Sequence, residues 1–203
     1  MSSTNRGGKR EVSDYYQTPL PAIQAFLTAW CADEYPRGFP FRFVLNPCAG
    51  GFRGTRTVKP EVMAYPTAIQ SLSYIFPDLK AITTVDIRED SPALQRGLDY
   101  RLLSFDREHD LVISNPPFCF AQEFIEKALR DVKRGGHVVM LLRLNYLESI
   151  GRLNFWTRHM PERIYVHAQR MSFTPDGKTD SVAYMHAVWR EGSHPDAARL
   201  RVI

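Results

Sequence analysis

The chain has 203 residues, 44% of them hydrophobic and 24% charged, the composition of a globular protein with room for one α/β core and not for two ordinary domains. No apolar run approaches the ~18 residues of a membrane span, and residues 1–10 lack the apolar stretch of a signal peptide, which together predict a cytoplasmic protein without membrane contact. A net charge of +4 mildly favours a polyanionic partner, while Cys31, Cys48 and Cys119 have neither disulfide-framework nor C-x-x-C spacing, which predicts reduced thiols and no metal.

In chain order, residues 1–13 read as a flexible arm made basic by Arg6, Lys9 and Arg10. Ile23, Phe26, Leu27 and Trp30 recur at helical spacing within Pro19 to Glu34, and the stretch stops before Tyr35-Pro36. Phe41 to Leu45 reads as a buried strand running into Asn46-Pro47-Cys48-Ala49-Gly50-Gly51, followed by a second basic cluster, Arg53, Arg56 and Lys59. A helix is predicted over 66–76, and a strand over Ala81 to Ile87 that carries Asp86 at its end. Leu111 to Ser114 is a strand, Phe120 to Val132 a helix stopped by Gly135-Gly136, and His137 to Leu142 a strand. Tyr146 to Arg158 reads as a short helix. Arg163 to His167 and Val182 to Trp189 read as closing antiparallel strands joined by a loop with Pro175-Asp176-Gly177.

Strands alternating with helices predict a parallel, doubly wound sheet, in which ligands gather at the strands' carboxyl ends. Asn46 to Gly51, Asp86, Asn115 and Arg143 all fall there. Of these, Asn115-Pro116-Pro117-Phe118 carries the most specific chemistry. An exocyclic or amide NH₂ is a poor nucleophile because its lone pair is delocalised. The Asn115 side-chain oxygen and the Pro116 carbonyl can each accept one of its hydrogens, pulling the nitrogen toward tetrahedral geometry. Proline fixes φ and holds those carbonyls in place. Phe118 offers a flat face for an extruded base, worth about 1–3 kcal/mol. The plain alternative is a strand ending in a proline turn. The histidines show no metal spacing, and Asp110 reads as a cap of its strand.

These residues resemble the adenine-N6 DNA methyltransferases, most closely the small phage and prophage type, over roughly Asp14 to Trp189. The resemblance implies an α/β Rossmann-like class I methyltransferase fold: a seven-stranded, mostly parallel sheet with a C-terminal antiparallel hairpin and helices on both faces. It implies S-adenosylmethionine as cofactor and DNA as partner. Asn46, Pro47, Cys48, Ala49, Gly50 and Gly51 are similar to the glycine loop that wraps the cofactor's methionine part, with Asn46 to Gly50 as implied cofactor contacts. The family usually carries an acid where Asn46 stands, which leaves the partner of the cofactor's ammonium group open, with Asp14 or another acid as a candidate. Asp86 and Ile87 match the ribose-binding position, with a cap as the alternative reading for Asp86. Asp99 and Tyr100 match the adenine-reading position, for which Asp106 is a rival. Tyr16, Thr18 and Pro19 resemble the motif that closes over the cofactor, where Thr18 also reads as a plain helix cap. Asn115, Pro116, Pro117 and Phe118 are the implied catalytic set. Phe118, Arg143, Phe173, Lys178 and Asp180 are the implied substrate contacts, with Phe173 reading equally as core.

Sequence-specific members of that family carry a separate target-recognition domain. Asn115 follows Asp99 by only sixteen positions and fourteen residues follow Trp189, so residues 14–192 are expected to form one catalytic domain and 193–203 a tail. Recognition would then fall to the segments 51–65, 143–158 and 170–181, with low or short sequence specificity, or to a partner subunit. Two other functions share these residues: RNA adenine-N6 methyl transfer, and a silent methyltransferase fold kept as a nucleic-acid-binding subunit.

Overall fold

The computed structural model describes residues 17–55, 59–173 and 179–203. Four apolar-rich segments build the centre of the sheet because each alternates its side chains between two buried faces. They are β1 (Phe43–Asn46), β2 (Ala81–Asp86), β4 (His109–Ser114) and β5 (Val132–Arg143). A two-residue β3 (Gln95–Arg96), then β6 (Arg163–Val166), β7 (Tyr184–Arg190) and β8 (Arg199–Val202) complete eight strands in the order β3-β2-β1-β4-β5-β7-β6-β8. β7 is antiparallel to both neighbours, and every other pairing is parallel.

Alternation sends each strand's residues into two cores. Val44, Leu111, Ile113, Val139 and Val188 pack under helices α1 (Leu20–Glu34) and α2 (Ala64–Ser71). Leu45, Val112, Val138, Met140 and Ala187 pack under α3 (Ala121–Asp131) and α4 (Leu153–Arg158). Helices therefore cover both faces, as expected. No helix among the described residues is long and apolar enough to cross a membrane.

Four local expectations change. The segment expected as a tail contributes β8, which pairs parallel with β6 from Arg163↔Arg199 to Val166↔Val202 and makes the sheet eight-stranded. Gly135-Gly136 does not stop α3. The strand starts at Val132, and the glycines lie inside it where the register against β4 shifts between His109 and Leu111. A Cβ on Gly136 would meet the Asp110 carbonyl at 2.9 Å, so only glycine fits that bulge. The helix expected over 66–76 ends at Ser71 and continues as a 3-10 turn, Ser73–Ile75. Asp110 caps a different strand from its own: Oδ2 accepts the N–H groups of Arg42 and Phe43, both at 2.8 Å, at the entry to β1.

Candidate active site

A cavity of about 440 Å³ opens where the strand order reverses between β1 and β4. Its floor is the turn after β1. Pro47, Cys48, Ala49 and Gly50 all line it, held by Cys48 N–H to Ser114 Oγ (3.1 Å), Ala49 N–H to the Val85 carbonyl (2.9 Å) and Gly50 N–H to Asp86 Oδ2 (2.7 Å). Burial and the nearby Asp86 carboxylate push the Cys48 thiol up, so it stays protonated.

Asn46 is not part of this wall. It is fully buried, and its amide nitrogen donates to the Ile113 carbonyl (2.6 Å) and to Ser114 Oγ (3.3 Å), tying β1 to β4. The side chain expected at the cofactor therefore turns into the sheet and not into the cavity. An ionised acid is costly in the buried middle of the sheet, and an amide can bridge two strands there.

Asp86 and Asp99 both line the cavity, and both form the same turn. Asp86 Oδ1 accepts the Arg88 N–H (2.9 Å), and Asp99 Oδ1 accepts the Arg101 N–H (2.9 Å). Each aspartate thus caps its own backbone two residues on. No helix follows Asp86, so its alternative reading as a helix cap fails. The Arg101 guanidinium also grips Asp99, with Nη2 to Oδ2 at 2.7 Å, and holds that carboxyl below the usual range. Ile87 sits in the wall, as does Tyr100, whose phenol donates to Asp131 Oδ2 (2.7 Å). Lys127 Nζ bonds the same carboxylate at 2.9 Å and lies 4.7 Å over the Tyr100 ring. Burial and the Asp131 charge together push the Tyr100 phenol up.

The opposite wall is Asn115, Pro116, Pro117 and Phe118, directly after β4. Asn115 Nδ2 donates to Thr18 Oγ1 at 3.0 Å. Thr18, which also lines the cavity, does not cap α1. The cap position belongs to Pro19, which makes no side-chain bond and lies outside the wall. Phe118 presents one ring to the cavity and packs against Tyr184 (6.0 Å between centroids), while the Arg143 guanidinium lies 4.8 Å over it.

Arg143, Phe173 and Asp180 do not line the cavity. They gather behind Phe118 around Tyr184. Phe173 packs against that ring at 4.8 Å, tilted by 56°, as part of a small core with Leu141 and Met171, and buried Asp180 accepts the Tyr184 hydroxyl at 2.7 Å. Tyr16 and Lys178, with Asp14 and the basic arm, lie outside the described residues. Sequence reasoning missed Tyr65, Arg88, Arg101 and Phe120 as wall residues. The two arginines had a signal, the repeated Asp-x-Arg of 86–88 and 99–101. Arg101 lies 4.0 Å over the Phe120 ring. Tyr65 reaches the wall from α2, and its neighbours in sequence give no hint of that.

No protein-family model and no curated protein matches the chain. Among solved structures it is similar to a Listeria monocytogenes protein assigned to the class I S-adenosylmethionine-dependent methyltransferases. The TM-score is 0.61 at 14% identity, over 92% of this chain and 65% of that one. It is also similar to the type IIG restriction endonuclease BpuSI (0.64, 13%, 95% of this chain and 28% of that one). A third is the M protein of the type I restriction enzyme EcoKI (0.55, 14%, 90% and 46%). The chain thus spans less than two thirds of each of these proteins. At such identities the likeness is one of architecture: the chain has the Rossmann-like class I methyltransferase fold, extended by an eighth strand.

Proposed function

We propose that this chain is an S-adenosylmethionine-dependent methyltransferase acting on the exocyclic N6 of adenine in DNA. The observation that carries the reading is the sharing of one cavity by Asn115, Pro116 and Phe118 on one wall and Gly50, Asp86 and Asp99 on the other. An amine-orienting pair and two acceptor-only carboxylates thereby face a common space.

The donor set fits that cofactor. Asp86 and Asp99 are the acids lining the cavity among the described residues, and a carboxylate accepts the hydrogens of ribose hydroxyls or of an adenine amino group. Small side chains at Ala49 and Gly50 let the backbone approach a ligand closely. When bound, S-adenosylmethionine supplies a methyl group activated by a positively charged sulfur. Asn115 Oδ1 and the Pro116 carbonyl accept the two hydrogens of the target amine, draw its lone pair out of the ring system and aim it across the cavity. An amide is no base, so the amine proton leaves during or after transfer. Phe118 holds the extruded base by stacking, with Arg143 and Tyr184 fixing the ring from behind.

DNA as substrate is supported by the amine-orienting motif, the basic net charge and the restriction enzymes among the structural neighbours. The single sheet with its helices, β8 included, would act as one catalytic domain, with recognition left to the segments 51–65, 143–158 and 170–181 and low or short sequence specificity as the result. The test is mass spectrometry of nucleosides from DNA and from RNA incubated with the protein and isotopically labelled cofactor. Labelled N6-methyladenine from DNA is expected. Label confined to RNA moves the substrate to that polymer, and none in either refutes the reading.

A further inference from the structure

The two acids of the cavity differ in how much hydrogen-bonding capacity their neighbours leave them. A carboxylate has about four acceptor positions, two on each oxygen. Asp86 uses one position on each oxygen, for the N–H groups of Gly50 (2.7 Å) and Arg88 (2.9 Å), and the Arg88 Nε, 3.8 Å from Oδ1, lies beyond hydrogen-bond reach. It can still accept a hydrogen on each oxygen, which is what a vicinal diol asks of it. Asp99 is more heavily engaged among the described residues. Its Oδ1 accepts the Arg101 backbone N–H (2.9 Å) and shares the Nε–H of that arginine (3.1 Å) with Oδ2 (3.2 Å), while Oδ2 also takes the Nη2–H at 2.7 Å. One acceptor position remains on Oδ2, which is what a single N–H of an amino group asks. The guanidinium that imposes this is itself held on three sides. Its edge bonds Asp99, its Nη1 bonds Glu123 Oε2 at 3.3 Å, and its central carbon lies 4.0 Å over the Phe120 ring. Asp99, Arg101 and Phe120 line the cavity, and Glu123 tethers the arginine to α3 from outside it.

We propose that Arg101 is a positioning residue that makes the cavity specific for a 6-aminopurine, by clamping the Asp99 carboxylate so that one acceptor position is left for the base of the cofactor. The inference rests on the cofactor reading given above and not on the identity of the methyl acceptor.

The clamp matters because of the base that adenine must be told from. A 6-oxopurine carries an acceptor oxygen where adenine carries its amino group, and it moves a hydrogen to the neighbouring ring nitrogen. A carboxylate free to turn about its side-chain bonds can follow that hydrogen and accept from either base. One gripped by a backbone N–H and by two nitrogens of a rigid fork cannot follow, and its charge then confronts the oxo oxygen. The Arg101 hydrogen bonds also hold the Asp99 carboxyl below the usual range, so at neutral pH it carries no proton with which to satisfy that oxygen. Lysine at this position brings the charge without the fork, and charge alone does not fix the orientation of the carboxylate.

The experiment is calorimetric titration of the full chain, without DNA, with S-adenosylhomocysteine and with S-inosylhomocysteine, its 6-oxo counterpart. The native protein should bind the adenosyl form about 10- to 100-fold more tightly, the worth of one hydrogen bond to a charged group. Arg101→Met and Arg101→Lys should each shrink that preference about tenfold, since neither side chain has a fork. In an Asp99→Asn background, Arg101→Met should change the preference by less than about twofold, because two residues acting through one contact are not additive. A preference that survives in either Arg101 variant overturns the proposal. So does a proportionate loss of affinity for both ligands, the mark of an arginine that only supports the turn, and so does an Arg101→Met effect that persists beside Asp99→Asn, the mark of a guanidinium that contacts the ligand itself. A native protein that binds both ligands equally, or neither, overturns it as well. The titration needs no methyl transfer, so DNA left unmethylated refutes the functional reading alone, and an unaltered preference in the Arg101 variants refutes this inference alone.

Discussion

Asp86→Asn separates the two jobs of one carboxylate. Asp86 is 6% exposed and takes one backbone N–H on each oxygen, from Gly50 at 2.7 Å and Arg88 at 2.9 Å. Each oxygen keeps a second lone pair for a ribose hydroxyl. Asparagine has the same shape, but whichever way it turns, its NH₂ confronts one of those two N–H groups. The loss of one charge-assisted bond costs about 1.5–3 kcal/mol. For a chain of this length that lowers Tm by roughly 3–12 °C. A similar loss at the ribose raises the Kd for S-adenosylmethionine about 10- to 100-fold. Thermal denaturation without ligand and calorimetric titration with cofactor read the two effects separately. Unaltered melting together with cofactor affinity within about twofold of the native value would refute the account of this residue.

Asn115→Ala should cut the rate of methyl transfer by at least about 100-fold while leaving cofactor affinity within about twofold; a radiolabelled methyl assay beside a binding titration checks both. Lys127→Met leaves the Asp131 carboxylate, 7% exposed, without its cation and should cost about 3–5 kcal/mol in urea unfolding. The double change Lys127→Met with Asp131→Leu should recover much of that, and no recovery would contradict the triad's energetics. Burial holds His137 and His167 at about 4, below the ~6.5 of an unfolded chain. Between those values the unfolded state binds more protons, so stability should fall as pH drops from 6.5 toward 4, by about 1.4 kcal/mol per pH unit for each histidine. Urea midpoints that stay flat from pH 6.5 to 5 would show that these imidazoles are already protonated in the native state.

The parts of the fold readable in advance were those with local causes. Apolar runs placed β1, β2, β4 and β5, and the residues at their carboxyl ends, Gly50, Asp86 and Asn115, meet in one cavity because parallel strands deliver their ends to one edge. β8 escaped because Arg199–Val202 is exposed at all four positions and carries no burial signal. The glycines at 135 and 136 carry the stop signal of a helix, and only the ladder with β4 shows them as a bulge. Asn46 reads as a cavity residue because its neighbours in sequence are, while its own side chain turns into the sheet. The hydrogen-bonded Tyr65–His186–His167 chain lay beyond any local pattern, since its members are brought together only by the packing of α2 on the sheet.

The outermost strand has a bearing on how copies of this protein behave in concentrated solution. β8 ends the sheet, and along it Arg199 and Arg201 alternate with Leu200 and Val202. Open ladder edges invite strands from other molecules, and charged side chains at every second position, Arg199 and the Arg201 that pairs with Asp33, suit water better than a dry strand-to-strand seam. Replacing both arginines by valine would leave the cavity untouched and turn that border into an adhesive ribbon, trading a dispersed protein for one that assembles through its rim.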